Sequence, residues 1–522
     1  MAERQEITFG KSMIADKRNT DFAYLIKNVF ESDTEGLYPG KDFERVSPGE
    51  AAGVETIIDV IGSSQSPFDI KVISETSSGN TRFHDLGSDS TSNTTLSAIT
   101  VEATAFGSDG VYIFCDNDKV YRVNHTNSNT TEIATDANNV SPVVGAFDGL
   151  YYWWVGNKIG RQLPGSSTID LAFTSTGLTG NSAPRFVSFY GDEMVIFAQS
   201  GGDVLVLFWD KSSTTFYSKR IVVKNSLLVA GGVVDGALML VRSVGNSTNI
   251  KEMEGQMVIS RFDGQKFVRV NSIKAGRGDT THAGGTRVRN TSCRAGSEVL
   301  LFSVDDNDRE SKNPDLYRNY VYKLRKDGSI EVMALPTPNN TIDYARIVNL
   351  FQEFNLFVVN GTGSGEGQFA HIYTNENDNR NYDDYDGYTT TEYITNFYGS
   401  AGTLHRLDAF TVAFERLFRN EDDPSIGDEE LDVYYRTSDR VDWTLMGNVT
   451  AEKVIENVNL RLDPAVAGAI PLMEQRYQFT KGVDNAALPE FNEIQFKFVP
   501  KKGFSIISAW FNYSYITRNT VQ

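Results

Sequence analysis

The 522 residues suffice for two or three domains with buried cores, and 40% hydrophobic against 22% charged residues, with 44 Gly to 14 Pro, suits many short strands joined by turns. Lys and Arg total 49 against 68 Asp and Glu, a net charge of −19 whose field repels phosphate backbones and anionic headgroups while favouring solubility, so neither direct nucleic-acid recognition nor membrane insertion is expected. Two cysteines, Cys115 and Cys293, are too few for a disulfide framework or a zinc site and are expected as buried thiols in or beside apolar segments.

The chain opens on "MAERQEITFGKS", without the basic start and apolar stretch of a signal peptide. Residues 1–50 lack an apolar period and carry turn signals, which predicts an extended arm. Ordering such an arm costs entropy unless it packs on something, so it is expected to lie on the rest of the chain or on a neighbouring subunit.

Six segments of the middle region share one design, a tight polar turn followed by an apolar burst and then a second strand. The bursts are "SDGVYIF" from Ser108, "FDGLYYWWV" from Phe147, "YGDEMVIF" from Tyr190, "VDGALMLV" from Val234, "AGSEVLLF" from Ala295 and "QEFNLFVV" from Gln352. Their partners are "DKVYRVN", "NKIGRQL", "GDVLVLFWD", "GQMVISRFD", "RNYVYKLRKDG" and "GQFAHIY". A spacing of about 40 residues, widening to about 60, fits four-stranded β-propeller blades. Blade strands covered on both sides read as continuous apolar runs, and outer strands alternate. "DIKVISETSSGNTRFHDL" with "LSAITVEATAF" adds either a seventh blade or the strand that closes the ring, giving a six- or seven-bladed propeller over 51–388. The stretch "SLLVAGGVVDGALMLV", 226–241, is the best membrane-span candidate, but its length, Asp235 and three glycines favour two strands joined by a turn. Phe208-Trp209-Asp210 is similar to the Trp-Asp of WD40 repeats without their Gly-His pair, and Trp209 is read as a packing aromatic.

The hydrophilic "TNENDNRNYDDYDGY", 374–388, reads as a linker. Beyond it, "TLHRLDAFTVAFERL", "ELDVYYRTSD", "DWTLMGNV", "KVIENVNLRL", "EQRYQFTKG", "EIQFKFVP" and "SIISAWFNYSYI" are short strands at the spacing of a β-sandwich over 389–522.

No candidate chemistry survives inspection. "YYRTSDRVDWTLMG" approaches the Asp box of sialidase-type glycosidases, yet Asp439 and Trp443 stand one residue too close, Val441 fills the glycine position, and the copy lies outside the propeller units. A hairpin with "SDRVD" at its turn accounts for it. There is no Gly-x-Ser-x-Gly elbow, and His84, His125, His282, His371 and His405 are scattered singly, without zinc spacing. In "YDDYDG" the residues Asp384, Asp386 and Gly387 match an EF-hand, but Tyr382 and Tyr393 occupy positions that need carboxylates. Arg277-Gly278-Asp279 marks a long loop, and sequons such as Asn124, Asn246, Asn360 and Asn512 follow from composition. No catalytic, cofactor or metal residue is assigned, and the chain is read as not an enzyme.

The plan of arm, propeller and sandwich resembles virion proteins of tailed bacteriophages. The residues that carry the likeness are Gly10-Lys11-Ser12-Met13-Ile14-Ala15-Asp16-Lys17, the Gly36–Pro39 segment, the "YRTSD…WT…G" hairpin and the late "EQRYQF" strand. The resemblance implies a structural tail component of nozzle or tail-tip type, assembled in the host cytoplasm into a ring-forming homo-oligomer of six-fold order beside adjoining tail proteins. The alternative is a carbohydrate-binding or glycoside-hydrolysing propeller acting on cell-surface glycans. On the structural reading, deleting residues 1 to about 45 is expected to spare the propeller and weaken assembly.

Overall fold

A computed structural model describes residues 3–7, 9, 23–27, 29–31, 37–39, 43–46, the strands between 56 and 175, 182–212, 217–244, 256–274, 293–295, 299–304, 320–334, 341–350, 353–361, 369–373, 392–415, 430–450, 474–501 and 505–516. The chain forms two compact units, one of residues 1–42, 329–336 and 376–522, the other of 43–328 and 337–375.

The second unit is a propeller. Each predicted burst becomes the second strand of an antiparallel sheet: Gly110–Cys115, Leu150–Val155, Glu193–Ser200, Ala237–Val244, Val299–Val304 and Glu353–Gly361. The predicted partners are the third strands. A further sheet, Thr56–Gly62, Ile70–Glu75, Thr81–Asp85 and Ser90–Asn93, precedes them and is the additional blade. Seven sheets thus follow one another among the described residues, each touching the next, and Thr341–Leu350 of the last returns to Thr56–Gly62 of the first. The ring is closed by a strand the sequence reading assigned to the arm. Phe43–Val46 pairs antiparallel with Phe369–Tyr373, from Phe43 opposite Tyr373 to Val46 opposite Ala370, as the fourth strand of the last blade.

Blades four and five show why the bursts are apolar. In Glu193–Ser200 and Asp203–Trp209 the central residues are buried without interruption, whereas the outer strand Lys219–Val223 alternates between half-buried and exposed. Val195, Phe197, Val206 and Phe208 face blade five and its Leu228, Leu238, Leu240 and Phe262. Met194, Ile196, Leu207 and Trp209 point the other way, onto Ile159 of blade three. Trp209 is fully buried with its ring edge-on to Phe173 and its Nε1 donating to the Ser212 carbonyl, a packing aromatic as expected. Each such side chain contributes about 1.5–3 kcal/mol by leaving water. The 226–241 stretch is indeed two strands, Ser226–Val234 and Ala237–Val244, turned at Asp235 (φ 43) and Gly236 (φ 73). At Gly231 a Cβ would meet the Phe197 ring at 2.6 Å, so the bare backbone is what lets that ring lie down.

The other unit is a β-sandwich. One sheet runs Val29–Glu31, Leu37–Pro39, Ser505–Tyr515, His405–Glu415 and Glu474–Phe479, with Glu3–Ile7 also on Ser505–Tyr515 and Glu490–Phe491 on His405–Glu415. The second holds Leu25–Lys27, Glu392–Ile394, Glu493–Lys501, Glu430–Thr437 and Thr444–Thr450, with Tyr398–Gly399 on its Glu493–Lys501 strand. Alternation places Phe410, Val412, Ala509 and Phe511 of one sheet against Leu431, Val433, Phe496 and Phe498 of the other, in one core. The Phe410 and Phe496 rings lie 4.6 Å apart.

The described strands of residues 1–50 do not form a separate arm. Glu3–Ile7 pairs with Ser505–Tyr515, Glu3 opposite Tyr513, and Ile7, Phe9 and Ala23 join the sandwich core. The deletion expected to spare the propeller would therefore remove its closing strand and several sandwich strands. The expected segments 1–50, 51–388 and 389–522 give way to two interleaved units because short strands near the start pair with partners far along the chain. "KVIENVNLRL" and the linker 374–388 lie outside the described residues.

Candidate functional site

The stretch that approached an Asp box forms the hairpin of Glu430–Thr437 and Thr444–Thr450. Its turn is tied internally and to the neighbouring strand: the Thr437 hydroxyl donates to Asp439 and the Arg440 amide to the Thr437 carbonyl at 3.0 Å, while the Ser438 amide donates to the Glu493 carbonyl at 3.0 Å. The Thr437 hydrogen bond, first among its causes, holds the Asp439 carboxyl below the ordinary range. A general acid of glycoside hydrolysis needs the opposite shift. Asp439 is a turn residue.

The outward face of this sheet is the most chemically varied surface of the sandwich. Along Glu430–Thr437, Leu431 and Val433 enter the core, which turns Asp432, Tyr434 and Arg436 outward. Opposite them on Glu493–Lys501, Tyr434 faces Lys497 and Arg436 faces Gln495. Arg436 Nε donates to Gln495 Oε1 at 2.7 Å, and fully buried Gln495 donates to the Thr395 carbonyl at 2.6 Å. The guanidinium lies 4.5 Å from the Trp443 ring centroid, while Lys497 Nζ lies 4.4 Å from Tyr434 and 5.3 Å from Trp443. Lys497 also faces Glu392 at 3.8 Å. Half-buried Trp443 therefore rests on two cations held from below, a cation–π arrangement of about 0.5–1 kcal/mol per contact.

A second cluster was not singled out by sequence. His405 is buried, stacked on Phe491 at 5.3 Å and enclosed by Tyr513 and Tyr515 at 5.1 and 5.0 Å. Neither ring nitrogen has a hydrogen-bond partner among the described residues. Burial pushes its pKa below the usual imidazole value, opposed in part by Glu3. Both tyrosine hydroxyls donate to Glu3 Oε2, at 2.9 and 3.1 Å, and burial followed by that bond drives the Tyr513 pKa upward. The residues come from four strands that are distant in sequence, so no local motif announces them.

Other sequence candidates separate or fall outside view. Tyr393, which spoiled the EF-hand pattern, is a fully buried core residue packed edge-on against Phe9 at 5.3 Å. Tyr382, Asp384, Asp386, Gly387, Arg277, Gly278, Asp279, His125, His282, Asn124 and Asn246 lie outside the described residues, as do the side chains of His84, His371, Asn360 and Cys293. Cys115 is a buried thiol. Among the described residues no group of three His, Cys, Asp or Glu side chains could hold a metal, and no helix is long and apolar enough to cross a membrane.

No protein-family model matches the chain, and no curated protein matches it. Solved structures that align with it are propellers. YCF48 bound to a peptide is similar over 64% of this chain and 97% of that one, with 11% identity and a TM-score of 0.40. The Cps50 (Swd1) propeller domain of Myceliophteria thermophila matches over 64% and 99%, with 9% identity and a TM-score of 0.41. The Pan2 WD40 domain of Neurospora crassa matches over 66% and 98%, with 8% identity and a TM-score of 0.39. Likeness at this level carries no functional argument, and the assignment as a propeller rests on the strand pairing itself.

Proposed function

We propose that the protein is a non-enzymatic structural component of a bacteriophage tail, assembling with copies of itself and adjoining tail proteins into a ring on the tail axis. The resemblance of the sequence to tailed-phage virion proteins supports the reading. The observation that carries it is the way Glu3–Ile7 and Phe43–Val46 are built by backbone pairing into both units, a design that suits a scaffold. Closed rings need different patches of each subunit to meet, and a propeller joined to a sandwich presents two dissimilar surfaces for such a contact. Light scattering and electron microscopy of the purified full chain, alone and with adjoining tail proteins, test it. Closed rings are expected, six-fold if the resemblance to tail proteins holds, and a chain that stays monomeric with those partners present overturns the reading.

One observation favours a second reading, glycan binding: Trp443 and Tyr434 stand half-buried beside polar groups on one sheet face. Retention of the full chain on immobilised cell-surface polysaccharide, lost in W443A, would support it over the first.

A further inference from the structure

A neutral imidazole carries one N–H donor and an imidazolium carries two. His405 has no acceptor for either: it is 5% exposed, and among the described residues nothing bonds Nδ1 or Nε2. Register sets it between Phe491 on one neighbouring strand and Tyr515 on the other, so aromatic rings stand where polar partners would be needed. Such a box tolerates the neutral ring and opposes the charged one.

The two tyrosines of the box are tied to the start of the chain. Tyr513 and Tyr515, with rings 5.8 Å apart, both donate to Glu3 Oε2. Glu3 begins the strand Glu3–Ile7, whose one pairing partner among the described residues is Ser505–Tyr515. Three side-chain ties hold that strand: the Glu3 clasp, Arg4 at 4.3 Å from the Trp510 ring, and Ile7 in the core at the far end. A terminal strand with a single neighbour opens at lower cost than one paired on both sides.

The charges around the box are few. Glu490, beside Phe491, is exposed, and Arg406 and Asp408 of His405's own strand pair with each other at 3.3 Å. Glu3 is the carboxylate whose charge reaches the ring, and burial outweighs it, pulling the imidazole below its ordinary range. Proton uptake therefore goes with opening. Glu3 can answer the new N–H donors only by leaving the tyrosine hydroxyls, and His405 can reach water only by displacing Tyr515, itself 52% exposed. Either movement undoes the clasp.

We propose that His405 is a proton-operated latch whose charging releases the N-terminal strand Glu3–Ile7 from the sandwich. Release bares the Ala509–Tyr513 edge, a template for an incoming strand. The sign follows from the neutral box: the strand is held at neutral pH and freed as pH falls below about 6.5. The latch is independent of the tail and glycan readings.

Hydrogen exchange of the full chain, read by mass spectrometry between about pH 7.5 and 5.5 and corrected for intrinsic rates, tests the proposal. Protection of Glu3–Ile7 is expected to fall by as much as about tenfold per pH unit below about 6.5, the linkage of one proton, while Glu493–Lys501 keeps its protection. In H405F, whose ring suits the aromatic box, the acid loss is expected to vanish. H405Q, neutral at every pH, is expected to do the same and stands in should H405F not fold. Steady protection of Glu3–Ile7 across the range overturns the latch. So does an equal loss in either variant, which assigns the titration to another group, or simultaneous loss along Glu493–Lys501, which makes the event unfolding of the sandwich.

Discussion

The propeller and the sandwich use the same strands for opposite kinds of connection. In the propeller, strands adjacent in sequence are adjacent in space, and blade four runs from Ser182–Tyr190 to Lys219–Val223 without leaving its own sheet. In the sandwich, neighbours come from far apart: the Tyr513 hydroxyl meets a Glu3 carboxylate 510 residues away. Local pairing spreads stability over many similar interfaces, whereas non-local pairing gathers it into one core that every segment must reach.

The sharpest test of that contrast is F410A. Phe410 is fully buried among Phe479, Phe496 and Phe498, and its loss is expected to cost the sandwich about 3–5 kcal/mol in urea unfolding, with propeller strands retained by hydrogen exchange. Simultaneous loss of protection in both units would break the comparison. Next in size is G231A, which drives a methyl group against the Phe197 ring and is expected to destabilise the propeller by about 1–3 kcal/mol. Protection should drop in blades four and five first.

W443A probes the sandwich at its surface. With the ring half-buried over Arg436 and Lys497, the expected loss is about 1–2 kcal/mol, two cation–π contacts, rather than the cost of a fully buried tryptophan. The smallest effect at neutral pH belongs to His405, whose consequence is a slope. Because the folded state holds its pKa below the ordinary value, its neutral form is the stable one above that value, and stability is lost as pH falls below about 6.5. The groups around it are Glu3, Tyr513 and Tyr515, with Arg406 and Asp408 on its own strand and Glu490 on the adjoining one. H405F is expected to flatten the urea midpoint between about pH 5 and 7. An unchanged slope would show that the imidazole titrates freely.

The legibility of the sequence follows the same divide. Every burst could be read because its partners stand a turn away and both faces of the strand need apolar residues. The "SDRVD" turn could be read for the same reason. Phe43–Val46 could not, since four residues with Glu44 and Arg45 at the centre carry no sign of a partner at Phe369–Tyr373. The His405 enclosure was hidden likewise: stacking on Phe491 and the edge-on contact with Tyr513 depend on strand register, which composition does not record.

The pairing of Glu3–Ile7 with Ser505–Tyr515 also sets a clock. At about 5–20 residues per second of synthesis, residues 510 positions apart emerge roughly 25–100 s from one another. Throughout that interval the early strand has no native partner and presents unpaired amides and carbonyls to any passing chain. Its sequence, Glu3-Arg4-Gln5-Glu6-Ile7, alternates charge with a single apolar residue at the end, which makes it a poor template for strangers. The nascent protein waits with a strand that its own Ser505–Tyr515 pairs with and that discourages other edges.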